Sequence, residues 1–273
     1  MAGSFYPAAA AELSALLDDC LENSALGPKG KNEPNPAIVA GLLPHAGLLY
    51  SGPCAAHLFA QLQPSVRHVI VLGVNHRARG YRASLSPWRS WRTPFGDVTV
   101  DESRSDFLEG RVEFLRRDAA AHAEEHSIEI QLPFLQRTLG KFTLTPIVLA
   151  DLSIDECAEL GAAIAAAYRA ETEANNRIII LASSDLSHYL SPKRTDELDR
   201  LALDQVLSLS PEGLLRVVEE QGITMCGVLP TVVMLFAACE LGLRRAHLLK
   251  HCHSGDVTPM RKVVGYASLA LEL

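Results

Sequence analysis

Two hydrophobic periods run through this chain. Short runs that are apolar at every position, such as Ala37 to Leu43, Val69 to Gly73 and Ile178 to Ala182, fit strands covered on both faces. Longer stretches with apolar residues three or four apart fit helices, as in Ala9 to Leu21, where Leu13, Leu16, Leu17 and Leu21 share one face. After that helix the pattern predicts a loop from Asn23 to Pro36, rich in Pro, Gly, Lys and Asn, then strand Ala37 to Leu43, helix Gly52 to Gln61 and strand Val69 to Gly73. Ala83 to Val100 reads as an irregular loop followed by a short strand. A helix from Ser127 to Leu139 with Ser127 as its N-cap, strand Phe142 to Leu149, helix Asp155 to Ala170 and strand Arg177 to Ala182 follow. Helices Thr195 to Leu207, Pro211 to Gln221 and Val228 to Leu241 precede strands Ala246 to His251 and Val263 to Leu271. Such alternation predicts an α/β fold, a single domain over 1–273 with a helix-covered, mostly parallel or mixed β-sheet.

Composition narrows the classes. With 48% hydrophobic and 21% charged residues, 273 residues bury a sizeable core. The net charge is −7, from 25 Lys+Arg against 32 Asp+Glu, and no basic block is present, which argues against nucleic acid as a partner. The opening Met1 to Pro7 lacks the basic flank and apolar run of a secretory signal. The longest apolar stretch, Val228 to Cys239, contains Pro230 and falls short of the ~20 residues that span a bilayer. A cytoplasmic protein without membrane association is the expectation. Six cysteines are scattered without a CxxC pair, so neither a zinc knuckle nor a disulfide framework is indicated.

The candidate chemistry follows the strands. Ala37 to Leu43 leads into Pro44-His45-Ala46-Gly47, Val69 to Gly73 into Val74-Asn75-His76, and Ile178 to Ala182 into Ser183-Ser184-Asp185-Leu186-Ser187-His188. Ligands of open α/β sheets bind outside the carboxyl ends of strands, so these residues are expected to converge. One histidine in such a place is commonly structural; a second at the next strand end, His76 beside His45, suits iron, copper or zinc. Asp185 and His188 read either as a helix N-cap with a surface histidine or as a proton shuttle or clamp on a metal ligand. Cys226 heads an apolar helix, where backbone N–H groups favour a thiolate, though a buried cysteine is more often a small hydrophobe. His122-Ala123-Glu124-Glu125-His126 matches the H-x-x-E-H pattern of a zinc peptidase class, a weak signal because Ser127 reads as the helix start. His251-Cys252-His253 places two histidines on one strand face, where a satisfied or exposed pair is expected.

The segments AGSFYP (2–7), PHAGLLYSGPCAAH (44–57), LGVNH (72–76), EEHSIEIQLPFL (124–135), SSDLSHY (183–189), MCG (225–227) and SGDVT with VVGYA (254–267) resemble the Memo family. Its bacterial and archaeal members are called AmmeMemoRadiSam system protein B. The resemblance implies a fold like that of class III extradiol dioxygenases, which hold iron(II) with two histidines and a carboxylate. It implies His45, His76 and Cys226 at a metal site for iron(II) or copper, Asp185 and His188 beside them as catalytic residues, and Phe5 and Tyr50 lining the substrate pocket. Cysteine in place of the carboxylate speaks against ordinary ring cleavage. His251-Cys252-His253 departs from the family's usual aromatic, small residue and Asn. The resemblance further implies redox or oxygenase-type chemistry on a small molecule, or binding of a phosphorylated or aromatic ligand or partner protein. A pathway link to AMMECR1-like and radical SAM proteins is also implied.

Overall fold

The mostly apolar segments 38–43, 66–74, 143–149 and 177–183 become adjacent parallel strands, because strands whose centres are apolar on both faces need a protein layer on each. The computed structural model describes residues 1–30, 33–174 and 176–273. The part of the expected loop that falls on Lys31 and Asn32 therefore lies outside the described residues.

Helix α1 (Ala10–Asp18) runs into a π-helical turn (Asp19–Asn23), followed by β1 (Ile38–Leu43), α2 (Leu48–Phe59) and β2 (Val66–Val74). Three short strands, β3 (Ala83–Leu85), β4 (Ser90–Thr93) and β5 (Gly96–Val100), precede α3 (Glu102–Glu109), β6 (Arg116–Arg117) and α4 (Ala119–His122). A 3₁₀ turn (Glu129–Gln131) leads into α5 (Leu132–Leu139), β7 (Thr143–Leu149), α6 (Ile154–Glu173), β8 (Arg177–Ser183) and β9 (His188–Leu190). The remainder is α7 (Pro192–Leu207), α8 (Pro211–Gln221), α9 (Val228–Glu240), β10 (Arg245–His253), α10 (Ser254–Val257) and β11 (Val263–Glu272).

The strands form one mixed sheet in the order β10-β11-β1-β8-β2-β7-β3-β6, with β5 also on β7 and β9 on β11. Strands β1, β8, β2 and β7 are mutually parallel, whereas β11 is antiparallel to both β1 and β10. Side chains alternate between two cores. Ile70 and Leu72 of β2 and Ile178 and Ile180 of β8 face the side covered by α6 and α9; Val69, Val71, Ile179 and Leu181 face α1, α2 and α5. All eight are buried, each worth ~1.5–3 kcal/mol relative to exposure. Among the described residues, no helix is long and apolar enough to cross a membrane.

Three local expectations are corrected. The stretch from Ala83 to Val100 holds three strands rather than one, because the β4–β5 hairpin closes through Arg92 and Asp97. Helix α2 begins at Leu48, not Gly52, and tolerates Pro53 within it. The carbonyl deprived of its donor belongs to Leu49, an exposed residue. Ser127 caps no helix: its hydroxyl accepts from the Val74 N–H (2.9 Å) and donates to the Val74 carbonyl (3.2 Å), tying the chain to the end of β2.

Candidate metal centre

Three strand ends and one helix head bring the donors together. His45 follows β1 and is buried (1% exposed). Its Nδ1 lies 3.0 Å from Ser183 Oγ, which donates its single proton to the Ser127 carbonyl (2.6 Å) and accepts from Gln131 Nε2 (2.9 Å). Nδ1 must therefore be the donor, which leaves Nε2 with a free lone pair. That nitrogen faces Cys226 Sγ at 3.1 Å.

His76 follows β2 and is oriented by Glu125. The carboxylate accepts from His76 Nδ1 (3.0 and 3.1 Å), from the His76 backbone N–H (2.9 Å), and from the backbone N–H groups of His126 and Ser127 (each 2.8 Å). Burial pushes the Glu125 carboxyl up, but the His76 imidazole and the backbone donors outweigh it and hold the pKa at about 2. A carboxylate fixing one imidazole nitrogen so that the other faces an ion is a common support for metal ligands.

Cys226 precedes Gly227 and α9. Its thiol is pushed up by burial, with the Asp185 charge adding to the effect. This corrects the expectation that the helix head alone favours a thiolate: desolvation outweighs the local N–H groups, and ionisation requires a nearby cation. The close approach of this turn to β8 depends on glycine, since a Cβ at Gly227 would lie 2.4 Å from both the Ser183 carbonyl oxygen and Ser184 Cβ. One ligand atom from each of His45, His76 and Cys226 lies within 4.8 Å of the others. Two neutral imidazoles and a sulfur at that spacing fit a borderline or soft transition metal.

Around this group, Asp185 is buried and its Oδ1 accepts from the backbone N–H of His45 (2.7 Å) and Ala46 (3.2 Å), fixing the loop after β1. Burial raises its pKa. His188 is half-buried; Nδ1 lies 2.8 Å from the Thr224 carbonyl and must donate to it, leaving Nε2 proton-free when the ring is neutral. Phe5 stacks on His126 (centroids 4.2 Å apart), which in turn stacks on His76 (4.7 Å). Tyr50 packs with Cys54, Cys252 and Tyr266 in a small cluster that also includes Ala46, the neighbour of His45.

Glu125 and His126 are the site residues that sequence reasoning missed. His76, Glu125 and His126 form a second donor group sharing His76. Their signal lay in H-x-x-E-H, read there as a peptidase pattern, but His122 goes elsewhere: its Nε2 meets the Ser84 carbonyl (3.0 Å) and its ring packs near Trp91 and Trp88. The peptidase geometry is therefore absent. His251 is satisfied as expected, by a 3.0 Å hydrogen bond with Asp199, whereas His253 Nδ1 approaches Asp256 (3.2 Å) without a hydrogen bond.

A mixed α/β sheet presenting two histidines and a cysteine beyond its strand ends defines a protein with a candidate metal site. Residues 1–270 match the Memo-like protein family, and the chain belongs to that family. It is 36% identical to a MEMO1 family protein of Methanococcoides burtonii, over 100% of this chain and 98% of the relative. It is 38% identical to MEMO1 family proteins of Sulfolobus acidocaldarius (98% and 96% covered) and Ignicoccus hospitalis (100% and 97%).

Proposed function

We propose that this protein is a metal-dependent redox enzyme, of oxygenase type, acting on a small molecule with iron(II) or copper held by His45, His76 and Cys226. The observation that carries this reading is the commitment of both imidazole Nδ1 atoms, one to Ser183 and one to Glu125, which leaves their Nε2 atoms free beside the Cys226 sulfur. A redox-active ion there supplies one-electron chemistry and activation of oxygen or of a bound small molecule. Asp185, whose pKa burial raises, lies beside the candidate ligands to exchange a proton, and His188 Nε2 is the acceptor. Phe5 and Tyr50 bound the substrate pocket, in a fold related to the class III extradiol dioxygenases. The setting is cytosolic, with AMMECR1-like and radical SAM proteins in the same pathway.

Metal analysis of freshly purified protein, coupled to oxygen uptake, tests this. Iron or copper near one equivalent per chain, lost in His45→Ala, is expected; full metal content in His45→Ala overturns the assignment. Because thiolate is softer than carboxylate, Cys226→Asp and Cys226→Glu should shift anaerobic copper(I)/iron(II) competition toward iron. An unchanged ratio in both removes Cys226 from the ligand set.

A second reading has its own observation. Leu49 and Tyr189 are 60% and 69% exposed, close in sequence to His45 and His188 respectively. In this reading the two side chains serve a module that holds a phosphorylated or aromatic ligand, or a partner protein, without turnover. Metal retention with no oxygen uptake across candidate substrates would favour it.

A further inference from the structure

Strand β10 carries His251-Cys252-His253, and the carboxylate contacts of the two histidines leave the residue between them unexplained. Cys252 packs against Cys54 of α2 and Tyr266 of β11 in a small buried cluster apart from the two main cores, with Ala46, Tyr50 and Val264 around it. Cys54 is wholly buried and directs its thiol toward the Lys250 carbonyl at 3.8 Å. Lys250 and Cys252 are two apart on β10 and so share one face of the strand, which brings the Cys54 thiol to the face that carries Cys252. Cys20 and Cys157 lie in different cores, Cys226 is at the metal centre, and Cys239 is exposed. Cys54 and Cys252 are therefore the cysteine pair that shares one packing cluster, contributed by a helix and a strand far apart in sequence.

We propose that Cys54 and Cys252 form a redox pair that peroxide converts to an intramolecular disulfide. Cys252 is 5% exposed against 0% for Cys54, so it reacts first. Its sulfur attacks one peroxide oxygen, the O–O bond breaks, and one water leaves, giving Cys252 sulfenic acid. The Cys54 sulfur then attacks the Cys252 sulfur, the S–O bond breaks, and the hydroxyl leaves as a second water with the Cys54 proton. In total two thiols lose two electrons and two protons, and hydrogen peroxide is reduced to two waters. Burial of Cys54 keeps it from bulk oxidant and reserves it for its neighbour. The new bond ties α2 to β10. Because Tyr50 lies one helical turn before Cys54, and Ala46 follows His45, oxidation stiffens the wall beside the metal centre. A bond of this kind in a reducing cytosol is transient and redox-sensing rather than architectural.

The test uses the purified full chain with its metal as isolated. After reduction, it is treated with hydrogen peroxide, alkylated in denaturant and mapped by mass spectrometry. Two fewer alkylatable thiols, a Cys54–Cys252 cross-linked peptide, and reversal by dithiothreitol are expected. In Cys54→Ser, dimedone should trap sulfenic acid at Cys252; in Cys252→Ser, Cys54 should stay alkylatable. The wild-type map requires no variant to fold. The proposal is overturned if both cysteines remain alkylatable at a dose that oxidises exposed Cys239, or if either pairs instead with another cysteine.

Discussion

One oxygen of Asp185 receives the backbone N–H groups of His45 and Ala46, so this side chain positions a candidate ligand while lying next to it. Asp185→Asn keeps an acceptor oxygen, and its thermal transition and metal content should stay near wild type while proton-dependent turnover is lost. Asp185→Ala leaves the buried His45 N–H without a partner, at about 1–3 kcal/mol, and the half-buried Ala46 N–H as well, and should lower the urea midpoint clearly. Equal destabilisation by both substitutions would mean that charge, not the acceptor, holds the loop. Glu125 gives a pH signature. Its folded pKa of about 2 lies below the ordinary 4.5, so its contribution is present above the ordinary value and is lost as pH falls toward 2. Glu125→Gln should remove roughly 2–3 kcal/mol of stability at pH 7 and flatten the decline between about pH 4.5 and 2 in metal-free protein. Parallel pH profiles for the two proteins would exclude Glu125 as the ionised clamp on His76.

Elements whose pattern was strong were legible in the sequence. The doubly apolar strands, and the helix at Pro211–Gln221, match because a long uniform period leaves no competing solution. The β4–β5 hairpin was harder to read: its strands are short, and its register depends on pairing that no local period records. Strand ends identified the places of His45, His76 and Asp185, but not the second supports, because Ser183, Gln131 and Glu125 act through contacts between separated segments. Ser127 shows the same limit, since a serine before a helix looks like a cap whether it bonds that helix or a neighbouring strand. The turn before α9 offers a test at this scale. Gly227→Ala forces a methyl group against β8, and overpacking of this kind typically costs about 1–3 kcal/mol. Reduced stability with weakened metal binding is expected, measured by denaturant titration and metal competition. Unchanged metal affinity would show that the Cys226 turn can shift without moving the sulfur from the site.

Across the whole molecule, the donors come from three distant segments, so the unfolded chain offers no equivalent site. Metal at a hundred times its Kd should add about 2.7 kcal/mol and raise the thermal midpoint by roughly 5–10 °C, reversibly with a chelator and not in Cys226→Ala. The position of β11 makes this a matter of time as well as of equilibrium. β11 joins β1 to β10 although its β1 partners lie far away in sequence, and closure of so long a loop comes late in folding. The Leu186 N–H donates to the Gly265 carbonyl, and the Gly265 N–H to that of Ser187, so the segment carrying Asp185 gains its final path only when β11 docks. Metal then meets a finished site: in stopped-flow measurements it should slow unfolding and leave the refolding rate unchanged. Faster refolding with metal would show that the donors gather before the last strand arrives.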